Sequence, residues 1–364
     1  MSTPSDSAYM ARALQLAARG RYTARPNPMV GCVLVRDGDV VGEGWHELAG
    51  EPHAEIHALR EAGDSARGAT AYVSLEPCAH HGKTPPCADA LIEAGVSRVV
   101  AAMQDPFDDV AGRGIEKLNE AGVETEVGLM QEAAEALNTG FVSRMTRGRP
   151  FVRLKVAASI DGATAMESGE SQWITGPEAR KDVQRLRAQS GAVMTGIGTV
   201  LADDPGLDVR DPDIDTRGAQ PLRVVLDSRL RMPPGARMLE LPGDTLVCCV
   251  VGHEAPTLEE AGAEVREFGA HGDVVNVFEV LAALAEREIN DVLVEAGTRL
   301  AGYLLEKDLL DELVIYQSPH IMGSNTRGMF TTPDWVALAD RRVLNIRDVR
   351  RVGADTRITG RLEG

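Results

Sequence analysis

His53, Cys78 and Cys87 lie far apart along the chain, and gathering them around one ion ties a helix start to a strand end and to the start of a second helix. His53-Ala54-Glu55 follows Pro52, a residue suited to the opening position of a helix, so His53 and Glu55 fall in the first turn of a predicted helix. Pro77-Cys78 ends a predicted strand, and Cys87 opens another predicted helix. Zinc binds thiolates, which are favoured at helix N-termini and beside a cation. One His and two Cys supply three ligands and leave a fourth position for water, the arrangement of a catalytic rather than a structural site. Metal-bound water can reach a pKa of about 7 and so supply hydroxide. Glu55, close to the metal without being a ligand, is the candidate proton shuttle.

His57 lies four residues after His53 on the same helical face, which makes a two-His zinc site the rival. In that arrangement the Glu directly follows the first His, whereas here it comes two residues later. Zinc also needs three or four ligands, and the downstream cysteines complete the first set better. Taken singly, each of these residues is more readily a buried core residue; together they point to a site. An H-x-E segment followed by P-C-x-x-C marks the zinc nucleobase deaminases, in which the Glu moves protons between water and the departing ammonia. In this chain eight residues separate the two cysteines.

A chain of 364 residues exceeds what one hydrophobic core ordinarily serves, so two domains are expected. The first part alternates helix and strand signals: a helix over Tyr9–Arg19, strands at Gly31–Arg36 and Val40–Trp45 joined by Asp37-Gly38, a helix over Pro52–Ala62, and strands at Thr70–Leu75 and Arg98–Ala102. Asp-Gly between apolar runs is a strong hairpin signal. A helix is expected from Gln131 to Met145, ending before Arg147-Gly148-Arg149-Pro150, where proline stops it. The alternation then restarts with strands at Phe151–Ala157, Ala192–Thr195, Leu222–Asp227, Thr245–Val250, Asp291–Glu295 and Leu313–Tyr316. Helices are expected over Pro177–Gln189 and from about Arg299, with a long loop from Asp203 to Gln220.

Through Arg149 there are 14 basic against 21 acidic residues, and 24 against 34 after it. Both halves are acidic and neither has the clustered Lys and Arg with which proteins bind nucleic acid, so nucleic acid is not an expected partner. No run approaches the about 18 apolar residues of a membrane span. Met1 to Arg12 lacks a basic patch followed by an apolar stretch, and a cytoplasmic location is expected. Five scattered cysteines are poor disulfide material.

The segment Cys78-Ala79-His80-His81-Gly82-Lys83-Thr84-Pro85-Pro86-Cys87 resembles the inter-cysteine loop of the bifunctional riboflavin-biosynthesis deaminase-reductase family. Asn27-Pro28, Val30-Gly31, Gly42, Gly44, His46 and Gly50 before His53-Ala54-Glu55 also match. The resemblance implies deamination of a diamino-phosphoribosylamino-pyrimidinone, a small phosphoribosyl pyrimidine, with Asn27, His46, His80 and Lys83 as substrate contacts. His81 stands where the family pattern has Tyr.

Downstream, Leu154-Lys155-Val156-Ala157-Ala158-Ser159-Ile160-Asp161-Gly162, Ser171-Gln172-Trp173-Ile174-Thr175 and Gly198-Thr199-Val200-Leu201-Ala202-Asp203-Asp204-Pro205 resemble, in order, the reductase half of that family. No G-x-G-x-x-G follows a strand there, so a Rossmann dinucleotide site has no support. The resemblance implies a cytidine-deaminase-like three-layer domain over residues 1–149 and a dihydrofolate-reductase-like α/β domain over 150–364. The second would use NADPH to reduce the opened ribose to a ribityl chain. Ala157, Trp173, Thr199, Asp203, Ser228 and Gly297 match cofactor positions. Ser171, Arg187, Leu207, Arg210 and Glu295 match substrate positions, and Thr298 replaces a Pro of the family pattern.

From the residues themselves, Gly297 before a helix suits a phosphate-facing N-terminus, and Arg187 or Arg210 could grip a phosphate bidentately. Lys155 is a lone Lys in an apolar strand; burying an unpaired ammonium is costly, so it should face a ligand phosphate or a carboxylate. The residues point to Zn2+ as a cofactor, and the resemblance implies NADPH as the other. The alternatives are a zinc deaminase whose second domain only binds or assembles, and an RNA-editing deaminase. A homo-oligomer stays open.

Overall fold

The computed structural model describes residues 5–79, 86–107, 111–252 and 254–362. It divides into two compact units, Met1–Gly148 and Arg149–Gly364. The first contains α1 (Asp6–Ala17), β1 (Gly31–Arg36), β2 (Asp39–Trp45), α2 (Ala54–Ala62), β3 (Thr70–Val73), α3 (Cys87–Glu93), β4 (Arg98–Ala101), α4 (Arg113–Glu120), β5 (Glu124–Val127), α5 (Gln131–Leu137) and α6 (Thr139–Arg147).

These five strands form one sheet in the order β2-β1-β3-β4-β5, antiparallel at its first two pairings and parallel at the others. The β1–β2 turn holds Asp37 at φ 54 and Gly38 at φ 88, the left-handed pair that a two-residue hairpin needs. Alternate residues of a strand face opposite sides, and the burial follows this rule. Cys32, Leu34, Val73 and Val99 pack with Ala54, Ala58, Leu91 and Leu118, whereas Val33, Val35, Tyr72 and Val100 pack with Met10, Ala13, Leu16 and Ala134. The result is three layers, with helices on both faces of the sheet.

Two glycines of β2 let α2 lie against it. A Cβ at Gly42 would run into the Ala58 carbonyl oxygen, and one at Gly44 into that of Ala54. The single helix expected from Gln131 to Met145 is instead broken at Asn138, which has φ −113 and ψ 30. Its side-chain oxygen accepts from Met29 N at 2.8 Å and its amide donates to Met29 O at 2.9 Å. A side chain spent on a distant backbone holds the helix interrupted.

In the second unit the chain begins β6 (Phe151–Ser159), β7 (Ala165–Met166), α7 (Pro177–Gln189), β8 (Ala192–Gly196), α8 (Ile197–Asp203), β9 (Leu222–Leu226), α9 (Arg237–Glu240), β10 (Thr245–Val250), α10 (Pro256–Glu260) and β11 (Glu264–Phe268). It continues β12 (Ala270–His271), β13 (Val274–Val275), α11 (Val277–Glu286), β14 (Asp291–Val294), α12 (Thr298–Glu306), β15 (Glu312–Ser318), β16 (Thr326–Arg327), β17 (Leu344–Val352) and β18 (Asp355–Leu362). A nine-stranded sheet runs β11-β10-β9-β8-β14-β6-β15-β18-β17. Its first seven strands are parallel, and β18 and β17 add antiparallel at one end.

Met194, Val224, Val292 and Val294 pack against α11 and α12 through Val280, Leu284 and Leu304. Val193, Val225, Leu293 and Tyr316 pack against α7 through Ala179, Val183 and Leu186. Parallel strands buried on both faces read as continuous apolar runs, as in Leu246-Val247-Cys248-Cys249. No disulfide forms: Cys32, Cys78, Cys87, Cys248 and Cys249 are all free. Among the described residues, no helix is long and apolar enough to cross a membrane.

Candidate active site

The N-terminus of α2, the segment after β3 and the N-terminus of α3 converge in the first unit. His53 is the extended residue that precedes α2, Cys87 opens α3, and the ligand atoms of His53, Cys78 and Cys87 all lie within 4.8 Å of one another. His53 Nδ1 is 3.2 Å from Cys87 Sγ and 3.6 Å from Cys78 Sγ. Cys87 N donates to Cys78 Sγ at 3.4 Å, and Ala88 N to Cys78 O at 3.1 Å. A hydrogen bond from the Cys87 thiol, aided by His53, lowers the Cys78 pKa against the effect of burial. The shared proton and burial raise that of Cys87. Two sulfurs converging beside an imidazole nitrogen form a donor set that suits a thiophilic dication. His57, the rival ligand, is not part of this cluster among the described residues.

Glu55 lies in the first turn of α2 and is 3% exposed, and its Oε2 is buried with no hydrogen-bond partner. Burial, and then the negative Cys78 sulfur, push this carboxyl up to about 7. His46 is buried, with its ring edge-on to that of His53 at 5.4 Å between centroids. Asn27 Nδ2 is 3.0 Å from His46 Nε2, and His46 Nδ1 is 3.3 Å from Pro52 O. Burial lowers the His46 pKa, which favours a neutral ring whose Nδ1–H donates to Pro52 O and whose Nε2 accepts from Asn27. His80 and Lys83 lie outside the described residues, as does His81.

In the second unit the candidate residues gather at one end of the parallel sheet. Ala157 lies near the end of β6, Thr199 follows β8 in α8, Ser228 follows β9, and Glu295 and Gly297 follow β14. In open α/β sheets the carboxyl ends of the strands are where ligands bind. Gly297 is the exposed residue that precedes α12 and has no capping side chain, so the first amides of this helix are left for another acceptor. Thr298 is engaged elsewhere: its hydroxyl accepts from Thr331 Oγ1 at 2.8 Å and its carbonyl from Thr331 N at 2.9 Å. Ser228 Oγ accepts from Val275 N at 3.0 Å.

Arg187 donates to both oxygens of Glu295, at 2.6 and 3.1 Å, and to Asp208 O at 3.0 Å. Arg210 Nη1 donates to Asp208 Oδ1 at 2.9 Å. Burial raises the Glu295 pKa, but the charge and hydrogen bonds of Arg187, with the charges of Lys155 and Arg210, leave it below the usual range. Lys155 is pulled down by burial, partly restored by Glu295 and opposed by Arg187. Glu295 is thus the carboxylate whose charge acts on Lys155. Arg187 is committed to that carboxylate and not free to grip a phosphate with its whole fork.

Trp173 is 67% exposed with the Arg180 guanidinium 4.6 Å from its ring centroid. Gln172 Nε2 donates to Asp203 Oδ1 at 3.3 Å, which brings the Ser171–Trp173 segment to the end of α8. Leu207 is 2% exposed and holds φ 52, and its side chain belongs to the core on the α7 side of the sheet. Asp208, which joins Arg187 to Arg210, was not singled out from sequence. The only signal for it was an acid two residues before an Arg.

Residues 3–103 match the cytidine and deoxycytidylate deaminase zinc-binding region, and residues 150–357 match the RibD C-terminal domain. The riboflavin biosynthesis protein RibD of Escherichia coli is 51% identical over 360 residues, 96% of this chain and 97% of that one. RibD of Haemophilus influenzae is 46% identical over 97% of this chain and 96% of its own. Among solved structures, Acinetobacter baumannii RibD (form 1) superposes with a TM-score of 0.93 at 46% identity, covering 99% of both chains. A Thermotoga maritima diaminohydroxyphosphoribosylaminopyrimidine deaminase / 5-amino-6-(5-phosphoribosylamino)uracil reductase does so with a TM-score of 0.86 at 34% identity, covering 98% of both. With a zinc-type His-Cys-Cys cluster in its first unit and a RibD reductase sheet in its second, this chain belongs to the RibD family of bifunctional deaminase-reductases of riboflavin biosynthesis.

Proposed function

We propose that residues 1–149 deaminate 2,5-diamino-6-(5-phosphoribosylamino)pyrimidin-4-one and that residues 150–364 reduce the ribosyl chain of the product to a ribityl chain with NADPH. The convergence of His53, Cys78 and Cys87 beside a buried, unpartnered Glu55 oxygen supports the first half of this reading most directly. In this reading His53 Nδ1 and the two cysteine sulfurs hold zinc. Zinc, when bound there, supplies Lewis acidity that makes water nucleophilic at neutral pH.

Glu55 Oε2 is then the atom that takes a proton from the attacking water and delivers it to the departing amine. Its buried setting raises the carboxyl's pKa, which favours holding the proton between the two transfers. His46, held by Asn27 and Pro52 O, presents a fixed face to the pyrimidine ring. The resemblance adds His80 and Lys83, outside the described residues, as candidate substrate contacts.

For the second half, NADPH supplies the hydride. This half of the reading is supported by the positions of Ala157, Thr199, Ser228 and Gly297 at the carboxyl ends of β6, β8, β9 and β14, and it adds Trp173 and Asp203 to the cofactor side. Ser171, Arg187, Leu207, Arg210, Glu295 and Lys155 form the substrate side, Leu207 through its backbone. Lys155 and Glu295 offer a donor and an acceptor to the hydroxyls of the sugar chain.

We place the protein in the cytoplasm, acting on a small molecule and not on nucleic acid. Two assays test the reading: ammonia release from the diaminopyrimidinone substrate, and loss of NADPH absorbance on addition of the deaminated product. Ammonia release without NADPH oxidation would favour a second domain that only binds. A gel shift with tRNA at substrate-like affinity would favour the RNA alternative.

A further inference from the structure

Glu76 is a carboxylate that is 4% exposed and lies two residues before Cys78. Its two oxygens accept four backbone N–H groups. Oε2 takes Asp105 N at 3.1 Å and Gly112 N at 3.0 Å, and Oε1 takes Gly114 N at 2.9 Å and Ile115 N at 3.3 Å. Gly112 is the residue that precedes α4, and Gly114 and Ile115 belong to its first turn. A helix leaves these amides without internal partners, at the positive end of its dipole.

Helices usually recruit the capping oxygen from the residue that precedes them. Here that residue is a glycine with no side chain to offer, and the acceptor is imported from the segment that carries Cys78. The backbone of this segment is pinned as well. Glu76 N donates to Met103 O at 2.9 Å, and a Cβ at Gly114 would run into the Pro77 carbonyl oxygen, so the first turn of α4 abuts the residue between Glu76 and Cys78. Pro77 has a fixed φ. Little freedom is left between the carboxylate and the Cys78 sulfur.

Building on the assignment of His53, Cys78 and Cys87 as zinc ligands, we propose that Glu76 is a positioning residue for Cys78. By holding the α4 N-terminus it sets where the Cys78 sulfur stands relative to His53 and Cys87, and so how tightly the metal is kept. Four amides converging on one side chain need an anion. Gln has the same size but would point an N–H at two of those donors.

The test uses the full chain loaded with zinc or with cobalt(II), as wild type, Glu76→Gln and Cys78→Ser. Glu76→Gln should release zinc to excess chelator roughly 10–100-fold faster than wild type. It should shift the sulfur-to-cobalt absorption band and leave NADPH oxidation by the second unit unchanged. A mere cap on α4 would lower thermal stability while leaving the cobalt band and the zinc release rate at wild-type values, and that result overturns the proposal. If Glu76→Gln does not fold, amide exchange on the wild type decides. Coupling is reciprocal, so zinc removal should lower the protection of Gly112, Gly114 and Ile115 but not of Tyr72 and Val73; unchanged protection overturns it. Zinc retained in Cys78→Ser would sink the ligand assignment itself, whereas zinc lost there and kept in Glu76→Gln sinks the role of Glu76 alone.

Discussion

Arg187 reaches from α7 to the end of β14 and closes a two-pronged ion pair on Glu295, both side chains about one-tenth exposed at 10% and 13%. Removing one partner of a buried pair strands the other, at a cost of about 3–5 kcal/mol. Arg187→Leu should therefore lower the unfolding midpoint of the second unit and abolish NADPH oxidation. Ammonia release should continue. Calorimetry with the two activity assays checks all three, and a variant of wild-type stability and turnover would show that the pair does neither job.

Asp182 predicts an acid limb in the stability of the same unit. Burial by itself raises its pKa, but hydrogen bonds from Tyr316 Oη at 2.7 Å and Arg357 Nη1 at 2.8 Å outweigh this and leave it below the ordinary value of 3.8. A carboxylate whose folded pKa is depressed contributes stability that is fully present above the unfolded value and is lost as pH falls through the folded one. Melting temperature should fall below about pH 4. Asp182→Asn should start lower and show a flatter acid limb; an unchanged slope would exclude Asp182 as its source.

Metal removal separates the units. Chelation, or Cys87→Ser, should abolish ammonia release and leave NADPH oxidation intact, because no group of metal-ligating side chains was found in the second unit among the described residues. Metal content by mass spectrometry should stand near one ion per chain. Parallel loss of both activities would show that the units depend on one another.

Glu55→Gln keeps the size of the side chain and removes the atom that moves the proton, a role typically worth about 10²–10⁴-fold. Zinc should remain bound. Asp203→Ala should weaken reduction instead, and mixing the two purified variants should restore the overall conversion if the intermediate diffuses. Deamination undiminished by Glu55→Gln would overturn the shuttle.

Gly44→Ala is a deletion of space rather than of chemistry. Its new methyl would meet the carbonyl of Ala54, the residue between His53 and Glu55. Overpacking costs about 1–3 kcal/mol, and here the yielding element carries the site. Deamination should fall more than thermal stability alone explains, which a kcat measured well below the melting temperature would reveal.

The metal cluster was legible in sequence because its chemistry is written in residue type and short spacing: His-Ala-Glu at a helix start, Pro-Cys after a strand. The β1–β2 hairpin was legible because Asp37-Gly38 carries its own backbone preference. What escaped was decided at a distance. Nothing near Asn138 tells that its side chain will bond Met29 and break a helix, and nothing near Glu76 tells that it will cap α4. The hairpin of β17 and β18 was missed because Leu344-Asn345-Ile346-Arg347-Asp348-Val349 carries mostly exposed side chains, so apolar alternation is weak where one strand lies at an open edge.

β6 opens the second unit yet pairs only with β14 and β15, whose residues come more than a hundred positions later in the chain. At ribosomal rates of about 5–20 residues per second, this strand waits on the order of ten seconds, unpaired on both sides, while Val152, Leu154 and Val156 have no completed core to enter. The sheet cannot close progressively from its N-terminal end. A nascent chain stalled before Asp291 therefore carries a strand whose apolar residues lack the partners they have in the finished sheet, the kind of unpaired edge that favours aggregation.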